Sequence, residues 1–226
     1  MRRSPALLLA LIGGLSLPPL IGAAFTVSPP DSMAAERPAV SATIPGRDSG
    51  KQTAVLAGGC FWGVEAVFEQ VRGVTEVVSG YAGGTAASAV YGQVSAGGTD
   101  HAEAVRITYD PRVVSFDQLL KIHFAVAHDP SELNRQGPDV GRQYRSAIFF
   151  VDPAQKGAAL ASIAQHDKAG NFDQPIVTEV LPLQKFYPAE AHHQDFVAHH
   201  PDHPYVAVND LPKLAQLRVR FPELVR

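Results

Sequence analysis

Thr53-Ala54-Val55-Leu56-Ala57-Gly58-Gly59-Cys60-Phe61-Trp62-Gly63-Val64-Glu65-Ala66-Val67-Phe68 is the stretch from which the fold can be read outward. Its first five residues form a short apolar run bounded by glycines, the pattern of a buried strand. From Val64 the apolar residues recur at helical spacing instead. The two glycines between permit a tight turn, so Cys60 falls where a strand gives way to the first turn of a helix. Free N–H groups and the positive end of the helix dipole favour a thiolate there, and this placement predicts a nucleophile of lowered pKa. The competing reading is a buried structural cysteine, since a free thiol also behaves as a small hydrophobe. Cys60 and Trp62 are the only cysteine and the only tryptophan among 226 residues.

Downstream the periodicities alternate. Gly73 stops the first helix, and Thr75–Tyr81 reads as a second strand. Ala82–Gly98 is a long glycine- and alanine-rich loop carrying Tyr91, and long loops inside compact domains are usually functional. Ala102–Tyr109 alternates as a third strand. Ser115 caps a helix over Phe116–Ala127, with Phe116, Leu119, Leu120, His123 and Phe124 on one stripe. Pro130–Gly141 is a loop, Tyr144–Val151 a fourth strand, Asp152-Pro153 the start of a helix that Gly170 closes, and Pro175–Leu181 a fifth strand. The order β-α-β-β-α-β predicts an α+β two-layer sandwich: a split βαβ, ferredoxin-like core with a mixed sheet and long active-site loops.

Upstream, Met1-Arg2-Arg3 followed by Ala6–Ile12 has the basic and apolar regions of a signal peptide, with Gly22-Ala23-Ala24 for cleavage. Residues 1–24 are read as a signal peptide, or as an anchor if uncleaved. The 25–50 stretch, rich in Pro, Ser and Ala, reads as a disordered linker, and residues 51–226 as the catalytic domain. The expected location is outside the cytoplasm, in the periplasm. A net charge of −3 and 46% hydrophobic content fit one globular domain, with no basic patch for nucleic acid.

Gly-Cys-Phe-Trp-Gly resembles the active-site signature of the A-type peptide methionine sulfoxide reductases. Val78–Gly84, Gly98–Glu103, Arg135–Ser146 and Phe186–Glu190 are similar to further blocks of that family, in its order. The resemblance implies reduction of the S epimer of methionine sulfoxide, free or in proteins, through a cysteine sulfenic acid. It implies Cys60 as nucleophile and Glu103 as acid, with Tyr91 and Tyr144 as hydroxyl donors to the sulfoxide oxygen. Asp139 would order a loop or a water, and Phe61 and Trp62 would receive the S-methyl group. No cofactor is implied beyond an external thiol such as thioredoxin, and the protein would act as a monomer. Taken alone, Glu103 reads rather as a solvated strand glutamate, each tyrosine as half-buried packing, and Phe61 and Trp62 as core.

Two features stand apart. Many relatives carry one or two resolving cysteines toward the C-terminus, and this chain has none. Five of nine histidines (His192, His193, His199, His200, His203) crowd the C-terminal region, with pairs two turns apart if one helix carries them. No H-E-x-x-H motif occurs, so no metal site is assigned; His193 also resembles a family histidine before Gln194-Asp195. Two other readings remain at this point: a cysteine hydrolase or acyltransferase with a histidine base, and an exported scavenger of metal or thiols.

Overall fold

The computed structural model describes residues 50–226; the expected signal segment and all but the last residue of the expected linker lie outside the described residues. Strand β1 spans Gln52–Ala57, and helix α1 spans Phe61–Glu69 with Cys60 at its N-cap. Strand β2 covers Val74–Ala82, short helix α2 Tyr91–Val94, and strand β3 Ala102–Tyr109. Helix α3, Phe116–Ile122, runs on into a π-helical turn over His123–Ala127. A two-stranded ribbon follows, β4 at Arg135–Gln136 and β5 at Asp139–Val140, before strand β6 at Ala147–Phe150. Helix α4 spans Pro153–Ala169, strand β7 Glu179–Pro182 and strand β8 Phe186–Pro188. Two more helices, α5 at Phe196–His199 and α6 at Leu211–Arg220, complete the order.

Six strands form one sheet in the order β7-β6-β1-β3-β2-β8. It is mixed, because β6 and β7 pair in parallel while every other neighbouring pair is antiparallel. With its helices it makes an α+β fold. Strand alternation divides the buried residues into two sets. Ala54, Leu56, Val105, Ile107, Tyr109 and Ile148 join Phe61, Val64, Val67, Phe68, Leu119 and Leu120 in the main core. Val55, Ala57, Ala102, Ala104, Ala147 and Phe149 form a second cluster with Leu181 and Phe186. By the same alternation Glu103 takes the helix-bearing side, the side of Cys60.

The local signals worked where they were chemical. Ser115 and Gln118 form the reciprocal capping box of α3. Asp152 Oδ1 accepts from Gln155 N at 2.8 Å at the start of α4, and Gly170 ends that helix with φ +62°. Four boundaries need correction. The Ala82–Gly98 loop is partly helical, with a 3₁₀ turn at Ala86–Ser88 before α2. The Pro130–Gly141 loop contains the β4–β5 ribbon. The fourth strand begins at Ala147 rather than Tyr144, because Tyr144 N bonds Gly141 O at 3.0 Å and closes a 3₁₀ turn over Arg142–Tyr144. The fifth begins at Glu179, where parallel pairing with Ala147 starts; before it Val177 N is held by Pro130 O at 2.9 Å.

Candidate active site

The strand–turn–helix opening does what its sequence requires. Gly59 adopts φ +87°, a backbone open to glycine, and its N–H reaches Tyr144 O at 3.2 Å. That bond draws the Tyr144 turn against the base of α1. Gly63, one turn into α1, faces Asp210 so closely that a Cβ would lie 2.1 Å from Oδ1. The helix start is therefore walled by a turn from before β6 and by the residue that precedes α6.

Glu103 is 1% exposed, and its Oε2 accepts the N–H of Phe61 at 3.1 Å. An acidic side chain 42 residues away in sequence thus caps the helix beside the thiol. Burial raises the Glu103 pKa to about 8; the Phe61 N–H opposes this and Asp139 adds to it. At neutral pH the carboxyl keeps its proton. Cys60 corrects the expectation of an acidic thiol. Burial and then the charge of Glu103 push its pKa well up, with Asp210 and Asp139 acting the same way, and only the Trp62 N–H pulls down. A thiol 8% exposed and ringed by carboxyls is not activated by a helix start alone.

Tyr91 and Tyr144 share the same electrostatic neighbours. Burial and then the Glu103 charge raise both phenols, and each also feels Cys60 and Asp139. Tyr91 is set by Glu190, whose Oε1 accepts its N–H at 2.8 Å while Oε2 accepts the Tyr81 hydroxyl at 2.8 Å. Asp139, on β5, accepts the hydroxyl of Tyr205. Burial, followed by Cys60 and Asp139, raises the Tyr205 phenol strongly.

Phe61 and Trp62 separate in role. Phe61 is 1% exposed and belongs to the core beneath the site. Trp62 is half-buried and stacked on Phe196 with centroids 3.7 Å apart and planes 9° apart. The Tyr205 ring stands edge-on to it at 5.9 Å, and its Nε1 donates to His193 Nδ1 at 3.2 Å. Cys60, Glu103, Tyr91, Tyr144, Asp139 and Trp62 are thus one cluster, with Phe61 as its floor.

Glu190, His193, Tyr205 and Asp210 also belong there, and the sequence reading assigned them no part in the chemistry. Glu190 and His193 stood within or beside family-like blocks; Tyr205 and Asp210 had no periodicity to mark them. The C-terminal histidines do not share one helix. His192 and His193 lie on a 3₁₀ turn and His199 on α5, separated by Asp195 in a left-handed conformation at φ +54°. Among the described residues no three His, Cys, Asp or Glu side chains come together to hold a metal. Two cavities of about 560 Å³ open away from the thiol, one lined by His128, Gln136 and Lys213, the other along α4. Cys60, 8% exposed, lines neither of them; the residues gathered around it form the mouth of the site.

A buried thiol beside a protonated carboxyl and two phenols is a grouping suited to thiol chemistry coupled to proton delivery. The family model described as peptide methionine sulfoxide reductase matches residues 52–224. A peptide methionine sulfoxide reductase, MsrA 2 of Synechocystis, is 57% identical over 177 residues, covering 78% of this chain and 83% of that protein. Among solved structures, Mxr1 of Saccharomyces cerevisiae in its reduced form aligns with TM-score 0.64 at 32% identity, covering 71% of this chain and 92% of that one. Methionine sulfoxide reductase A of Corynebacterium diphtheriae aligns with TM-score 0.58 at 35% identity, covering 68% and 77%. The chain belongs to the peptide methionine sulfoxide reductase family. It is an oxidoreductase acting on sulfur, and its reaction is the thiol-dependent reduction of methionine sulfoxide.

Proposed function

We propose that the Cys60 centre reduces the S epimer of methionine sulfoxide, free or in proteins, in two half-reactions. One observation carries this reading: the hydrogen bond from Phe61 N–H to Glu103 Oε2 sets a carboxyl that keeps its proton at neutral pH beside the only thiol. Cys60 sulfur attacks the sulfoxide sulfur while Glu103 gives its proton to the oxygen. The thiol's proton restores Glu103, the protonated oxygen passes from the substrate sulfur to Cys60 sulfur as the S–O and transient S–S bonds break, and methionine leaves with Cys60 as sulfenic acid. Oxygen and both protons are accounted for: thiol plus sulfoxide give sulfenic acid plus thioether. The Tyr91 and Tyr144 hydroxyls donate to the oxygen as charge builds on it, and Asp139 with Tyr205 orders the loop beside them. The Trp62 face receives the S-methyl group, over Phe61. A methyl subsite and an oxygen subsite fixed around one nucleophile accept one hand of a chiral sulfur.

Regeneration consumes two equivalents of an external thiol, giving a disulfide and water, with a mixed disulfide to Cys60 between. A thioredoxin-like protein or a small thiol fits this role, since no second cysteine exists in the chain. We place the protein outside the cytoplasm; the basic and apolar residues 2–12 and the small residues 22–24 support that. We also read β1, α1, β2, β3, α3 and β6 as a split βαβ unit, a reading supported by the antiparallel order β6-β1-β3-β2.

The test is mass spectrometry of the enzyme after one turnover without reductant. We expect about one methionine per enzyme, a trappable sulfenic acid on Cys60, and activity restored by dithiothreitol. Cys60→Ser should lose all turnover. Near-normal activity in that variant, or an oxidised product made only of Cys60–Cys60 dimers, would overturn the scheme.

A further inference from the structure

Trp62 is held by one polar contact, and its chemistry is unusually constrained. An indole N–H can only donate. His193 Nδ1, 3.2 Å from it, must therefore be the bare nitrogen of a neutral imidazole, with the ring proton on Nε2. Nε2 is buried and has no hydrogen-bond partner among the described residues, so nothing on that side anchors the ring. The ring is instead wedged by faces: Tyr91 at 4.3 Å, His192 at 4.1 Å and Phe61 at 5.2 Å between centroids. His193 is 2% exposed and touches the floor, the wall and one of the phenols of the mouth at once.

We propose that His193 is a positioning residue that fixes the Trp62 indole as the substrate's methyl wall while neutral, and lets it go on taking a second proton. This rests on the reading of Trp62 given above. In the imidazolium both nitrogens carry hydrogen. Nδ1–H would then point at the indole N–H, two donors face to face, and the bond that orients Trp62 is lost. Stacking on Phe196 remains, so the wall loosens without falling away. The groups bearing on this proton are few. Burial favours the neutral ring most, His192 on the same turn acts with it, and the Glu190 carboxylate opposes both. From α1 and α2 the ring meets Phe61, Trp62 and Tyr91, of which only Tyr91 titrates, far above neutral pH. His193 is consequently neutral at pH 7, and its release of Trp62 belongs to acid conditions.

Because Trp62 is the sole tryptophan, the protein has a single indole N–H signal to follow by NMR and a single emitter. Between pH 7.5 and 4.5 we expect that signal to move away from its hydrogen-bonded position in the wild type. It should stay fixed in His193→Asn, whose side-chain oxygen replaces Nδ1 as acceptor without titrating. The KM for methionine sulfoxide should rise about 2- to 10-fold at low pH, the worth of one neutral hydrogen bond, with kcat changing less; His193→Asn should flatten that rise. His193→Phe keeps the ring but no acceptor, and should show the raised KM already at pH 7.5. If that variant does not fold, the wild-type titration still decides. An indole signal that does not move overturns the proposal, as does one that moves alike in His193→Asn, which would assign the change to another group. A moving signal with a flat KM overturns it too. Trp62→Phe then tells which idea failed: an unchanged KM there removes Trp62 from the substrate, whereas a raised one leaves the wall standing and removes only His193.

Discussion

Two regions against the first helix each bury a glutamate, and they are put to opposite uses. At the helix start Glu103 is 1% exposed and accepts one backbone N–H, from Phe61. Further along, Glu65 is equally buried but accepts two, Ser79 N at 3.3 Å and Asp195 N at 3.0 Å. Burial raises both pKa values, Glu103 to about 8 and Glu65 to about 7. The second N–H is the difference in wiring: hydrogen bonds to the ionised form pull a carboxyl back toward its ordinary value. A carboxyl meant to lend a proton is held by one donor, and a carboxyl meant to tie a strand to a turn is held by two. Burial alone does not distinguish them.

The contrast breaks most visibly in the rate. Glu103→Gln should slow the chemical step roughly 10²- to 10⁴-fold, the usual worth of a positioned acid, while Glu65→Gln should leave single-turnover rates within about threefold. Glu65→Gln should instead lose about 1–3 kcal/mol of stability in denaturant titrations, because an amide turns one acceptor into a donor facing a backbone N–H. An unchanged single-turnover rate in Glu103→Gln at neutral pH would end its role as acid. In the wild type, the single-turnover rate should fall as pH rises through about 8, where Glu103 loses its proton. That limb should be missing in the Gln variant.

Removing one phenol should cost less. Tyr91→Phe or Tyr144→Phe singly should lower kcat about 5-fold, as for one neutral hydrogen bond of roughly 1 kcal/mol. The double variant should lose more than the product of the two if both hydroxyls hold one oxygen. Strictly multiplicative losses would assign them to different atoms.

The smallest effect is on melting temperature. Glu103, Glu65 and Glu69 all have folded-state values above their ordinary ones, Glu69 near 8 through burial and its contact with Asp195. A raised acid contributes stability that is whole below its unfolded pKa and is lost as pH climbs through the folded value. Melting temperature should therefore decline from pH 6 to pH 9, and less steeply in Glu103→Gln. His128, near pH 4, and the fully buried His123 act on the other side, both held neutral chiefly by burial. Their stabilisation is present above about pH 6.5 and is lost as pH falls. Calorimetry across pH 4–9 checks both arms.

What the chain revealed before folding follows the same division. Cys60 at a strand–helix junction, the alternating strand that carries Glu103 and the caps at Ser115 and Asp152 were legible because each is signalled within a few residues; the acid role of Glu103 came only with the family resemblance, since its partner Phe61 lies 42 residues away. Tyr205 and Asp210 were not legible, since a π-helical turn over Val206–Asp210, between α5 and α6, brings them across more than a hundred residues to the Cys60 wall. Tyr144 was read onto a strand because the apolar run from Ala147 to Val151 was extended back to it; the 3₁₀ turn that holds it depends on Gly141 and on the distant Gly59. The thiol's acidity was misjudged for a related reason. A helix start is visible in sequence, whereas the carboxyls of Glu103, Asp139 and Asp210 gather only in three dimensions.

The buried lone thiol has a consequence for traffic. With Cys60 8% exposed and no second cysteine to carry electrons outward, oxidised substrate and reductant must pass through the same opening, one after the other. A repaired protein has to depart before the enzyme can be recharged. Crowding by oxidised proteins would then slow the cycle by competing with the reductant for the entrance, most of all where reductant is scarce. Double-reciprocal plots should stay parallel at low substrate and curl upward at high concentrations of a bulky protein sulfoxide, and free methionine sulfoxide, quick to clear the mouth, should curl them far less.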